Sequence, residues 1–167
     1  MASPPAQVTN TYAAKFICGV QRDGAVTSIP EAQAGRYSSK INVHNNTGVT
    51  ITFRKKIINL TGGGQKKIEP VRLDPESLRP DWAMEVVCRD IYNHLKAVPP
   101  PGDAPRYIEG FVIFEVLQPL KTPPPPDPLD VEGIYTYRGD IPNTVVNTGV
   151  SIAVVVYPAK SNKHPMQ

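Results

Sequence analysis

Between Lys40 and Arg54 the chain alternates apolar and polar residues twice, in Lys40-Ile41-Asn42-Val43-His44-Asn45 and in Val49-Thr50-Ile51-Thr52-Phe53-Arg54, with Asn46-Thr47-Gly48 between the runs. Successive residues of a strand point to opposite faces. A period of two therefore puts Ile41 and Val43 on one face of a strand, and Val49, Ile51 and Phe53 on one face of its partner. Each strand is then buried on one side only. The pattern predicts a β-hairpin over residues 40–54, in a sheet that packs against a second sheet. Its outer residues, Asn42, His44, Thr50 and Thr52, are polar but uncharged apart from the histidine, a face suited to protein contact as well as to water.

The rest of the chain repeats the strand signal. Residues 12–20 form a first predicted strand. Residues 68–73 form a short one ended by Asp74-Pro75, and Met84, Val86 and Cys88 alternate with Glu85 and Arg89 in another. Residues 107–117 are apolar on both faces through their middle, as a central strand is. Residues 129–138 place Val131, Gly133, Tyr135 and Tyr137 on one face, and 150–157 supply a last strand. The alternation of the second hairpin strand breaks at Lys55-Lys56, where a bulge or bend is expected. Only residues 89–96 have helical character. The expectation is an all-β fold, a single antiparallel β-sandwich or jelly roll of about seven to eight strands with one short helix near 89–96.

At 167 residues the chain suits one domain with a sizeable core. Ten of the 19 prolines cluster, at Pro4-Pro5, Pro99-Pro100-Pro101 and Pro123 to Pro126 with Pro128. Proline lacks the ladder N–H, so these clusters mark connections, edges or tails. The expected organisation is an N-terminal proline-bearing arm over 1–11, a β domain over 12–158 and a tail over 159–167. No run approaches the roughly 20 apolar residues of a membrane span. No basic segment leads into an apolar one at the N-terminus, so a cytoplasmic location is expected, with a secreted or surface-exposed one as the alternative.

A net charge of +3 is no nucleic-acid signature. The one dense basic group is Arg54, Lys55 and Lys56 with Lys66 and Lys67 beyond a glycine-rich stretch. It is a candidate contact patch, but it lacks the interleaved aromatics that stack on bases, so nucleic acid is not an expected partner. Gly62-Gly63-Gly64 lacks the lysine-serine or lysine-threonine ending and the following helix of a phosphate-cradling loop.

Cys18 and Cys88 lie in strand-like runs without a CxxC partner and are too few for a metal site. They are expected to be structural cysteines. Burial as small hydrophobes is the first reading, and a disulfide, which argues for an oxidising compartment, is the second. Cys88-Arg89-Asp90 with His94 carries no nucleophile signature. Glu109 and Glu115, six residues apart on one strand, stand about 20 Å from each other, too far for a glycosidase pair. The three histidines are scattered. No catalytic residue, metal or cofactor is expected.

Five stretches taken in order carry a resemblance: Lys15-Phe16-Ile17-Cys18-Gly19, Ile41-Asn42-Val43-His44-Asn45, Glu85-Val86-Val87-Cys88-Arg89-Asp90-Ile91, Glu109-Gly110-Phe111-Val112-Ile113, and Leu129-Asp130-Val131-Glu132-Gly133-Ile134-Tyr135-Thr136. Together they resemble a group of uncharacterised bacterial all-β proteins and, more distantly, the sensory rhodopsin transducer family of homo-oligomeric β-sandwiches. The stretches are strand cores, so the resemblance implies architecture and no catalytic motif. The chain departs from it in the 121–128 insertion and in the uncharged 150–157 strand, and photosignalling is not carried over. The leading expectation is a non-catalytic structural or assembly protein that associates with copies of itself. Strands apolar on both faces, 107–117 and 150–157, present more apolar surface than a two-layer fold hides. The alternative is a soluble ligand-binding or signalling module that uses the basic 54–67 region.

Overall fold

A computed structural model of the chain describes residues 6–21, 34–60, 68–99, 103–119, 127–139 and 150–161. Lys66, Lys67, the three-glycine run and Pro123 to Pro126 lie outside them. The described elements are β1 (Ala6–Gln21), β2 (Gly35–Asn45), β3 (Ile51–Asn59), β4 (Val71–Leu78), β5 (Ala83–Val87), α1 (Cys88–His94), β6 (Ile108–Pro119), β7 (Leu129–Arg138), β8 (Val150–Val156) and the two-residue β9 (Lys160–Ser161). The fold is therefore all-β, with one short helix among the described residues. Pairings between named strands are antiparallel, in one continuous sheet ordered β4-β3-β6-β1-β2-β7-β8, with β5 also beside β2 and β9 beside β1.

The long strand β1 is the pivot. It pairs with β6 from Ala6 to Cys18 and with β2 only over Gly19, Val20 and Gln21. Gly19 sits at φ +97°, and a Cβ there would lie 2.2 Å from the carbonyl oxygen of Arg106. Only glycine fits the position where the strand changes partners. β1 begins at Ala6, well before Tyr12, because residues 6–11 pair with the end of β6 and with β9.

Alternation builds the core as expected. Tyr12, Ala14, Phe16 and Cys18 of β1, Phe53 of β3, and Val112, Phe114 and Val116 of β6 are fully buried. They share one cluster with Ile41 and Val43 of β2, Val86 of β5, and Leu129 and Val131 of β7. The Phe53 and Phe114 rings meet edge to face at 6.0 Å. Each such side chain contributes about 1.5–3 kcal/mol relative to exposure. β6 lies between β3 and β1, in agreement with its two-faced apolar sequence.

The expected hairpin over 40–54 is corrected in its pairing. β2 and β3 each bury the predicted face, but β6 and β1 stand between them in the sheet. The 46–50 segment thus carries the chain from one part of the sheet to another. Its organiser is Asn45, fully buried, whose amide donates to the carbonyls of Val49 (2.8 Å) and Leu78 (3.0 Å) while its oxygen accepts from the Thr47 N–H (2.9 Å). Val49 falls in this turn, outside β3, and is exposed. The outer residues of the two strands flank hydrogen-bonded neighbours on both sides, so neither strand is a free edge.

The strand expected over 68–73 also differs: β4 runs through Pro75 to Leu78. It is the end strand of the sheet path, where a missing N–H costs no ladder bond. The bulge expected in the second strand at Lys55-Lys56 is corrected: β3 keeps its alternation and pairs with β6 in unbroken register, and the extra residue lies opposite on β4, where Arg54 pairs with Pro75 and Lys56 with Arg72.

Cys18 and Cys88 are joined in a disulfide with Cα atoms 5.7 Å apart, so the first reading of two separate buried thiols gives way to the second. The bridge connects β1 to the first residue of α1. A seven-residue helix has little stability of its own. The disulfide, the buried Ile91 and Tyr92, and the Asp90 carboxylate accepting from the Val87 N–H (3.0 Å) hold it in place.

Candidate interaction surface

The sheet path ends in two strands of opposite chemistry. β4 has the sequence Val-Arg-Leu-Asp-Pro-Glu-Ser-Leu, with three charged residues, a proline and a bulge. Those are the features that discourage a second chain from adding to an edge. β8 has the sequence Val-Ser-Ile-Ala-Val-Val-Val, with no charge and no proline. Three of its valines are open to solvent: Val154 is 61% exposed, Val155 40% and Val156 68%. Because 154 and 155 point to opposite sides, both faces of the strand are apolar at the surface. β8 pairs with β7 from Glu132↔Val156 to Arg138↔Val150 and, among the described residues, its other flank has no strand partner.

A ring of hydrogen bonds fixes the residue that follows β8. The Tyr157 N–H donates to the Val131 carbonyl (2.9 Å). The Lys15 N–H donates to the Tyr157 hydroxyl (3.1 Å), the Tyr157 hydroxyl bonds to that of Tyr135, and the Tyr135 hydroxyl donates to the Lys15 carbonyl (2.6 Å). Burial above all, then the Tyr157 hydrogen bond, raises the Tyr135 phenol well above its ordinary range. The ring also closes a flank of β1. One residue pair further along, the Ser39 hydroxyl donates to the Ile17 carbonyl and accepts from the Ile17 N–H, both at 2.8 Å. Between β9 and β2, where β1 lacks a strand neighbour, side-chain hydroxyls supply partners for its backbone. β8 receives no such cover on its outer flank among the described residues.

The basic candidate residues separate. Arg54 and Lys56 share the half-buried parity of β3, whereas Lys55 takes the core parity of Ile51, Phe53 and Ile57 and is only 7% exposed. Lys55 is paired with Glu76 of β4 at 2.6 Å, and Lys56 with Glu115 of β6. Arg54, Lys55 and Lys56 therefore do not form one basic face, and Lys66 and Lys67 lie outside the described residues.

Acid–base groups gather in one small cleft of about 230 Å³, where Lys55, Glu85, Asp90 and His94 meet Ile57, Leu73, Val86 and Val112. Its charged groups are already engaged: Glu85 with Lys40 at 2.5 Å, Asp90 in the helix cap and Lys55 with Glu76. Cys88, near His94 in sequence, has its sulfur in the disulfide. His44 meets Asp130 at 3.3 Å on the surface, and Glu109 is paired with Lys15 at 3.5 Å. No group of three or more metal-ligating side chains occurs among the described residues. Among them, too, no helix is long and apolar enough to cross a membrane.

The residues that close off β1 and order the turns, namely Ser39, Asn45, Tyr135 and Tyr157, were not singled out from the sequence. Each makes at least one bond to a residue distant in the chain, and the period-two pattern reports a face without naming what that face meets. No family model, no curated protein and no solved structure matches the chain.

Proposed function

We propose that this protein is a non-catalytic structural or assembly protomer, a β-sandwich that associates with copies of itself through β8. The observation that carries the proposal is the uncharged β8 edge with three exposed valines on both of its faces. Two copies of such a strand, placed antiparallel across a two-fold axis, complete each other's hydrogen-bond ladder and bury each other's valines. The contact is self-complementary and closes at two copies if no other surface joins in.

The sandwich form is supported by the single core cluster, which draws residues from β3 and β6 on one part of the sheet path and from β2 and β7 on another. Links between strands that are not ladder neighbours there support it too: Tyr12 of β1 accepts from the Leu129 N–H (3.0 Å), and Tyr135 of β7 bonds to Lys15. The Cys18–Cys88 bridge supports an oxidising compartment over a reducing one. The alternative, a binding module built on residues 54–67, is weakened by the internal pairing of Lys55 and Lys56.

Sedimentation equilibrium over a hundred-fold concentration range tests the proposal. A concentration-dependent dimer is the expected result. A strictly monomeric species at tens of micromolar would sink it.

A further inference from the structure

A second cleft, of about 530 Å³, opens beside Gly19 and α1 and has no part in the β8 edge. Its walls are built deliberately by backbone ties. Lys96 stands at φ +53° just beyond α1, and the Ala97 N–H returns to the Tyr92 carbonyl (2.9 Å), so residues 97–99 leave the helix as one wall. The opposite wall includes 103–107. It is held by the Tyr92 hydroxyl donating to the Arg106 carbonyl (2.6 Å), by the Val20 N–H donating to the Pro105 carbonyl (2.9 Å), and by a parallel bridge between Val20 and Arg106. Gly19 lets these groups close up, since a Cβ there would sit 2.5 Å from the Tyr92 oxygen. The disulfide one residue away anchors the same helix to the same strand.

The lining is amphipathic. Tyr92, Tyr107 and Val98 supply aromatic and apolar surface, and Lys96 and Arg106 supply two cations against the single acid Asp103. Lys96 and Arg106 are exposed, and among the described residues neither side chain has an ion-pair partner. The volume falls in the range of about 300–1,000 Å³ typical of small-molecule sites, which combine an apolar lining with a few polar groups that fix orientation. Two cations without an ion-pair partner among the described residues, beside tyrosine rings, suit an acid group on a flat apolar body.

We propose that this cleft binds a small aromatic carboxylate, its ring against Tyr92, Tyr107 and Val98 and its acid group between Lys96 and Arg106. The site is independent of the assembly reading. A titration of the isotope-labelled full chain with 2-naphthoate, followed by amide chemical shifts, tests it, with 2-naphthylmethanol as the neutral counterpart. The expected result is one saturable site with shifts centred on residues 92–98 and 103–107. The neutral compound should bind at least about ten-fold more weakly, as loss of a charge-assisted hydrogen bond implies. Lys96→Glu with Arg106→Glu should weaken naphthoate binding by at least about ten-fold while leaving the melting temperature unchanged, because both residues are exposed. Equal affinity for the acid and the alcohol would overturn the proposal using the unaltered protein alone. So would shifts that map to β8, or an absence of saturation.

Discussion

The two ends of the sheet solve the same physical problem in opposite ways. An end strand leaves backbone donors and acceptors unpaired, and β4 protects itself with Arg72, Asp74, Pro75, Glu76 and a bulge. One of those charges also serves the interior. Glu76 reaches back to neutralise Lys55, the lysine that β3 places on its core face. β8 carries none of these devices and exposes valines on both sides. Among the described residues, the difference teaches that the bare end at β8 is no general looseness of the fold, since the same chain guards β4 at the other end of the sheet path and closes a flank of β1 with hydroxyls.

The largest expected effect separates stability from assembly. Removing the disulfide with Cys18→Ala and Cys88→Ala releases a closed loop with a sequence separation of 70. It should lower unfolding stability by about 4 kcal/mol in denaturant titration. The association constant should hold where the chain remains folded. A parallel fall in association would tie the interface to α1 instead of β8.

Next in size, Val154→Lys with Val156→Lys should weaken self-association by at least about 100-fold, near 2.7 kcal/mol, by sedimentation velocity. Monomer stability should stay within about 0.5 kcal/mol, because both side chains are already exposed. A dimer that survives two lysines on this strand is not built on β8.

On the opposite edge, Glu76→Gln should cost about 1–2 kcal/mol of stability, since it leaves a nearly buried ammonium without its counter-charge; the half-exposed glutamate keeps the effect below that of a fully buried pair. Association should not change. A stability loss near zero would make Glu76 a solvated edge charge only, and the two edges would then differ in negative features alone.

The smallest effect concerns buried tyrosines, one of them beside β8. Burial raises the phenols of Tyr12 and Tyr135 above the ordinary value of 10.0. The folded state therefore holds these protons more tightly than the unfolded chain. Their contribution is complete below about pH 10 and is lost as the pH climbs from there toward the folded-state values. Thermal melts should show no tyrosine-linked change up to pH 9 and a falling midpoint above pH 10. Tyr157→Phe should make that fall shallower, because the Tyr157 hydrogen bond is one of the causes that raise Tyr135, and should cost about 1 kcal/mol at neutral pH. An unchanged alkaline slope would place the effect wholly in burial.

Much of the fold was legible in particular residues. Ile41, Val43, Ile51 and Phe53 bury the face that their alternation predicts, residues 107–117 are central, and the helix near 89–96 appears as Cys88–His94. The apolar 150–157 strand stood out by its lack of charge. The candidate patch was less legible. Arg54, Lys55 and Lys56 are contiguous in the chain, but a pleated strand turns neighbours to opposite faces, and Glu76 and Glu115 arrive from other strands to pair with two of them. Pro75 misled because proline ends a central strand but not an edge strand, and edge position is a property of the whole sheet.

By itself the sequence determined which face of β2 and of β3 is buried, because side-chain direction follows local backbone geometry alone. It also determined that β8 has no charged or proline guard. Only the tertiary structure decided who pairs with whom. Asn45 turns the 40–54 segment into a crossing rather than a hairpin by bonding to Leu78, a residue 33 positions away. Cys18 meets Cys88 across 70 positions, and Tyr157 meets Lys15 across 142. Period-two alternation carries no information about sequence separation, so every choice among long-range partners, including which edge is left bare, had to wait for the folded chain.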